Sequence, residues 1–358
     1  MPTSWPLILP WLVTVVLAAA LWQYPALGWG LMAASTAALV AAVVSSVHHA
    51  EVIAQRLGEP FGTLVLALAI TVIEVALVLA VMHAGGPESA ALPRDTIFAA
   101  VMIICNGVVG LCLLIGGIRH GEQSFRIEGT GSGLAALAAL SGLVLVTPAL
   151  TISSPGATYT NSQLVFVALS SLSLWLLFVF IQTVRHRDYF LPEASPADES
   201  VHAAPPSRAQ AWVSFGLLLM SLACVVGLAK LMSPALEQLV LDLQAPKSVV
   251  GIVIALIVLM PETWAAIRAA RANRLQTSMN LAIGSALASI GLTIPIVVVA
   301  AVLWGLPLEL GLVPKDIALL ALTFIVGSIT LASGRTNLMQ GAVHLVLFAA
   351  FLFLTLVP

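Results

Sequence analysis

Long apolar runs alternate with short polar punctuation along the whole chain. Turn residues and charges divide it into eleven apolar stretches, at about 6–24, 28–48, 60–83, 96–118, 131–150, 162–184, 209–230, 248–268, 277–304, 316–333 and 338–357. Each is near the roughly 20 residues that a helix needs to cross a hydrocarbon core. The apolar residues are continuous rather than alternating, which predicts helices. A helix satisfies its own backbone polar groups, as lipid demands. The expected fold is all-α, a polytopic membrane protein with eleven transmembrane helices.

The longest polar interruption runs from Arg185 to Arg208 and contains Pro192, Pro196, Pro205 and Pro206. Its composition predicts a solvated linker. The resulting division is a first helix (1–27), a five-helix unit (28–184), a cytoplasmic linker (185–208) and a second five-helix unit (209–358). Two five-helix units in tandem must lie in the membrane with opposite orientation, the inverted repeat of many secondary transporters. With the N-terminus in the cytoplasm, ten Lys and Arg residues fall on the cytoplasmic side and only Arg94, Lys230, Lys247 and Lys315 fall outside. That asymmetry predicts a cytoplasmic N-terminus and an external C-terminus. Arg268, Arg271 and Arg274 read as a topogenic anchor, with anionic lipid as a second reading.

Composition strengthens the membrane reading. Apolar residues make up 60% of the chain and charged residues 8%, and mean hydropathy is +1.07. Soluble domains carry about 25% charged residues. The net charge of −2 gives no case for a nucleic-acid partner. Cys105, Cys112 and Cys224 all lie in apolar runs, without disulfide or metal spacing, and read as free packing thiols. Residues 1–50 contain no Asp, Glu, Lys or Arg, which fits two spans better than one cleaved leader. No cofactor is expected.

Of the sixteen Asp and Glu residues, fourteen fall in predicted loops or at span ends; Glu74 and Glu262 do not. Placing an acid at mid-membrane costs about 2.5–3.5 kcal/mol on the milder insertion scale, so such a residue marks function by default. The two positions also correspond, since each lies in the second span of its five-helix unit. Two protonated glutamates bridging helices would be the structural alternative.

Oxygen-bearing residues gather near both acids. Thr71 shares a helix face with Glu74, and Gly62 and Thr63 lie farther along that span. Pro261, directly before Glu262, removes a helix hydrogen bond and frees carbonyl oxygen for an ion. The following spans contribute Asn106, and Asn280, Ser285, Ser289 and Thr293, with Ser285 and Ser289 on one face. Carboxylates, amides, hydroxyls and carbonyls form a hard-oxygen set suited to Ca²⁺ or Na⁺. Each hydroxyl equally fits a bond back to its own helix, and the small residues equally fit close helix packing.

These segments resemble the alpha-repeats of the sodium/calcium exchanger superfamily, and within it the cation/proton exchanger branch typified by bacterial calcium/proton antiporters. The stretches that carry the resemblance are Arg56-Leu-Gly-Glu-Pro-Phe-Gly-Thr63 running on to Glu74, then Pro261-Glu262, Asn280-Leu-Ala-Ile-Gly-Ser285 and Ser333-Gly-Arg-Thr-Asn337. The resemblance implies a secondary antiporter of the bacterial inner membrane that exchanges Ca²⁺, or Na⁺ or K⁺, for H⁺. It implies that Glu74 and Glu262 bind cation and proton in turn. Two departures stand out: Met102 occupies the position where the family often has Ser before Asn106, and Ser289 stands where many relatives carry Gln.

His48-His49-Ala-Glu51 is expected to form a loop at the cytoplasmic entrance to the third span, as a pH sensor or as interfacial polar residues. Glu59 before Pro60 either attracts cations or caps the third helix. A channel would more often place identical subunits around a filter. An intramembrane protease would need a buried Asp pair or a Ser/His arrangement, and no enzyme is expected. The expected partners are transported cations, protons and membrane lipid; neither a monomer nor an oligomer is specified.

Overall fold

The structure, a computed structural model, describes residues 5–24, 28–58, 61–190, 205–242, 246 and 248–357. Among them, eleven helical segments are long and apolar enough to cross a membrane. In chain order the helices are α1 (Trp5–Gln23), α2 (Trp29–Leu57), α3 (Phe61–Gly85), α4 (Leu92–Met102) and α5 (Val109–His120). They continue as α6 (Ile127–Ser141), α7 (Thr147–Leu150), α8 (Asn161–Phe180), α9 (Arg208–Asp242), α10 (Ser248–Arg271), α11 (Leu275–Trp304), α12 (Pro314–Ala332) and α13 (Leu338–Leu356). Two spans are compound. A π turn over Ile103–Val108 joins α4 to α5, and another over Gly142–Val146 joins α6 to α7.

Two helices outrun the pattern that predicted them. α2 continues through His48 and Glu51 and stops only at Gly58, which has φ +68°. Residues 49–57 include His49, Glu51, Gln55 and Arg56 yet contain no helix breaker, so nothing ends the helix earlier. α9 passes through Lys230 and Pro234 to Asp242. Polarity marks where a helix leaves lipid, which is not where its hydrogen bonding ends.

The chain packs as two compact units, Met1–Ser89 with Glu199–Gln244, and Ala90–Asp198 with Ala245–Pro358. This is a division by contact and cuts across the tandem halves read from the sequence. Of the expected linker, residues 191–204 lie outside the described residues.

The first unit holds α1, α2, α3 and α9, with α2 packed along α9 and α3 against both. Ser45 and Ser221 share a 3.0 Å hydrogen bond across that contact. Ala50, Ala69 and Leu218 form a small apolar cluster nearby. Leu17 fills the space left by Gly227.

The second unit holds α4 to α8 and α10 to α13. α11 is largely enclosed and packs against α8, α10 and α6. α13 lies close along α5: a side chain on Gly341 would collide with the backbone of Leu114 and Gly110. Small residues commonly permit such backbone approach in membrane helices. Two short strands, β1 (Gln123–Ser124) and β2 (Arg335–Thr336), pair antiparallel. They tie the α5–α6 connection to the segment Ser333–Asn337, whose Gly334 has φ +66° and whose Asn337 caps α13.

Candidate functional site

In the second unit Glu262 is placed by a helical hairpin. α10 and α11 are joined by a tight turn that holds Asn273 at φ +60°, a left-handed conformation that Asn tolerates. Glu262 lies nine residues before the end of α10, and Ser285 ten residues after the start of α11. At about 1.5 Å per residue the two reach the same depth from opposite strands of the hairpin. Ser285 Oγ donates to Glu262 Oε1 at 3.0 Å. Ser278 Oγ donates to the Ala266 carbonyl at 2.7 Å, pinning the register nearer the turn. Glu262 is 7% exposed. Ser289, one turn beyond Ser285, is buried too. Pro261 stands inside α10 and has no N–H for the carbonyl four residues earlier, at Ile257.

Glu74 lies midway along α3 in the first unit and is 3% exposed. Thr71, buried on the same face, donates to the Ala67 carbonyl at 2.9 Å, so its proton serves its own helix while its oxygen keeps lone pairs. Gly62 and Thr63 fall within the first turn of α3. Glu59 lies outside the described residues.

One sequence expectation changes. The expected loop His48-His49-Ala-Glu51 is helical, within α2. His49 is buried, with its ring nitrogens on the Pro6 carbonyl of α1 at 3.0 Å and on Ser214 Oγ of α9 at 3.3 Å. The helix turns His49 toward its neighbours because continuing α2 satisfies the backbone better than a loop would. His48 stacks obliquely against Trp5.

Asn280 lies near the start of α11. Its amide donates to the Phe190 carbonyl and accepts from Gln276, which in turn accepts from the backbone of Arg126. Asn106 is committed to two partners of its own: Nδ2 donates to Thr323 Oγ1 at 2.8 Å, and Oδ1 faces His344 Nδ1 at 3.1 Å. Met102, the departure noted in the sequence, sets its sulfur against both the Asn106 amide and Thr323.

His344 is the residue that sequence reasoning missed. An ionisable side chain in the middle of an apolar span carries the same default meaning as Glu74, but attention to acids and to ligand spacing passed it over. Its neighbours Thr323 and Thr330 have no local signal at all, since they belong to another helix.

Away from the acids, Arg94 joins Asp95 at 2.8 Å and Glu309 on the segment before α12. It also donates to the Gly311 carbonyl at 3.1 Å.

Comparison with known proteins adds kinship to this geometry. The family described as "Sodium/calcium exchanger protein" matches residues 27–184 and 213–357. A protein of Sinorhizobium fredii named as an ionic transporter, y4hA, is 45% identical over 329 residues, covering 92% of this chain and 89% of the relative. The sodium-potassium/proton antiporter ChaA of Escherichia coli is 36% identical over 317 residues, covering 88% and 85%. Two solved structures share the fold at 16% identity. Native YfkE has a TM-score of 0.72 and covers 98% of this chain and 99% of its own. The H⁺/Ca²⁺ exchanger CAX has a TM-score of 0.70, with coverage of 97% and 87%.

Proposed function

This chain belongs to the sodium/calcium exchanger protein family, and from that premise we propose that it exchanges a cation for protons across the bacterial inner membrane, with Glu74 and Glu262 binding the two in turn. The observation that carries the reading is a buried carboxylate on each of two membrane helices, Glu74 on α3 and Glu262 on α10. Glu262 already receives a hydroxyl hydrogen bond from the adjacent helix.

Charge arithmetic supplies the mechanism. Two deprotonated carboxylates carry two negative charges, which one Ca²⁺ or two protons neutralise. A bare pair is costly in a low-dielectric interior, because an ion without a partner loses hydration that nothing replaces. The loaded states, with cation or with protons, are the ones free to change access. Exchange is then obligatory, and rocking of the inverted repeats exposes the carboxylates to each side in turn. Thr71 on α3, Ser285 and Ser289 on α11, and the Asn106 amide oxygen on the π turn are the further hard-oxygen ligands of this proposal. The N-terminus is cytoplasmic and the C-terminus external, following the Lys and Arg asymmetry.

Ca²⁺ is the proposed ion on charge balance. Exchange of Na⁺ or K⁺ is the second reading, favoured by the name of the 36% identical relative and by Met102 in place of a hydroxyl. The test is transport in everted membrane vesicles carrying a pH-sensitive dye. After a proton gradient is built, CaCl₂, NaCl or KCl is added. Dequenching by one salt identifies the ion; no dequenching by any of the three refutes cation/proton exchange.

A further inference from the structure

His344 lies in the middle of α13 and is 2% exposed. Its ring connects three elements of the second unit. Nδ1 meets Asn106 Oδ1 on the π turn at 3.1 Å, and Nε2 meets Thr330 Oγ1 on α12 at 3.1 Å. Asn106 in turn reaches Thr323 on α12 through its Nδ2 at 2.8 Å, and Thr323 gives its own proton to the Leu319 carbonyl at 2.8 Å.

Donor and acceptor roles follow from that chain. With the Thr323 proton on the Leu319 carbonyl, its oxygen accepts from the Asn106 NH₂ group. The Asn106 oxygen therefore faces His344 and needs a donor, which places the ring proton on Nδ1. Nε2 is left as the acceptor for Thr330. Reversing the amide would require the Thr323 proton to leave the Leu319 carbonyl and the ring proton to move to Nε2. All four side chains are buried, where an unpaired polar group is costly.

Close backbone approach makes this reach possible. Gly110 leaves the space into which the His344 Cβ fits, since a Cβ there would lie 3.0 Å from it. The π turn carrying Asn106 is an irregularity that frequently marks a functional position. α10, which bears Glu262, packs against both α4 and this turn.

We propose that His344 is a positioning residue of the exchanger: it locks the Asn106 amide in one orientation on the π turn, leaving the second lone pair of the amide oxygen for the transported cation. The assignment rests on the proposed cation/proton exchange and on Asn106 as a ligand. An amide carbonyl that rotated freely would present its NH₂ group to the cation half the time and repel it. His344 removes that freedom, and acts on affinity through Asn106.

The test uses the full chain reconstituted in liposomes, with initial exchange rates measured against CaCl₂, NaCl or KCl, whichever drives proton movement in the wild type. His344→Leu should raise KM for the cation about tenfold while the maximal rate changes less than threefold. His344→Asn, which keeps an amide donor near the place of Nδ1, should stay within threefold of the wild-type KM. Asn106→Leu combined with His344→Leu should be no worse than Asn106→Leu alone, because the histidine acts through that amide. Unchanged KM in a folded His344→Leu protein, or losses that multiply in the double variant, would overturn the assignment. If His344→Leu does not reach the membrane, the isosteric Thr330→Val takes its place. It should raise KM about threefold, and an unchanged value would count equally against the assignment. A wild type that exchanges none of the three cations refutes the proposed function instead, so the two failures are distinguishable.

Discussion

Ser285 Oγ donates a hydrogen bond to Glu262 Oε1 across 3.0 Å, joining the two arms of the α10–α11 hairpin at the depth of the carboxylate. The contact occupies one acceptor position of Oε1. It also fixes which way the carboxylate faces.

Ser285→Ala should therefore weaken cation affinity. A hydrogen bond to a charged group is worth about 1.5–3 kcal/mol, so KM should rise about tenfold or more, while Ser285→Thr, which keeps the hydroxyl, should remain near wild type. Initial rates at graded cation concentration in everted vesicles check this. A KM unmoved by Ser285→Ala would remove Ser285 from the binding set.

Arg94 is predicted to matter for stability rather than for exchange chemistry. Its guanidinium bonds Asp95, Glu309 and the Gly311 carbonyl, and both Arg94 and Asp95 side chains are largely enclosed. Breaking a buried pair by removing one partner costs about 3–5 kcal/mol, because the other charge stays behind. Arg94→Met should lower the thermal midpoint of the detergent-purified protein clearly. Adding Asp95→Asn should recover part of the loss.

Two glycines offer a matched packing test. A side chain at Gly341 meets the backbone of Leu114 and Gly110, whereas one at Gly142 meets nothing within 4 Å. Gly341→Ala should drive α13 away from α5 and reduce the yield of folded protein. Gly142→Ala should leave both folding and exchange intact. Fluorescence-detected size-exclusion profiles of the two variants separate the outcomes.

Asn337 caps α13, its side chain accepting from the Met339 N–H at 3.0 Å while Gln340 reaches back to the Asn337 N–H at 3.1 Å. Asn337→Ala should cost about 1 kcal/mol of stability and leave cation KM unchanged. A large change in KM would give this segment a direct part in transport.

Much of the architecture was legible because lipid imposes a simple rule. A run of about 20 apolar residues is a helix, and all eleven predicted spans correspond to helical segments. Where hydropathy stops reporting, reading stopped too. The polar end of α2 is helical, so His48 and His49 stand on a helix rather than in a loop. The buried acids were visible as violations of the apolar pattern, and Ser285 was visible through its spacing. Asn106 and Asn280 were visible as polar residues, but their partners were not. Thr323 lies 217 positions from Asn106, and the Phe190 carbonyl that holds Asn280 carries no side-chain signature. The Arg94–Glu309 pair spans 215 positions and was hidden for the same reason. The residues that bear polar groups were thus readable, while the pairings made by folding were not.

The central claim is competition between cation and proton for Glu74 and Glu262, and proton release on cation binding tests it most directly. Purified protein in weakly buffered detergent solution, with a pH indicator, receives CaCl₂, NaCl or KCl in turn. The account predicts a saturable release of protons by the transported cation, reduced in Glu74→Gln and in Glu262→Gln and abolished when both are replaced. Saturable cation binding without proton release, or release that persists in the double variant, would contradict it.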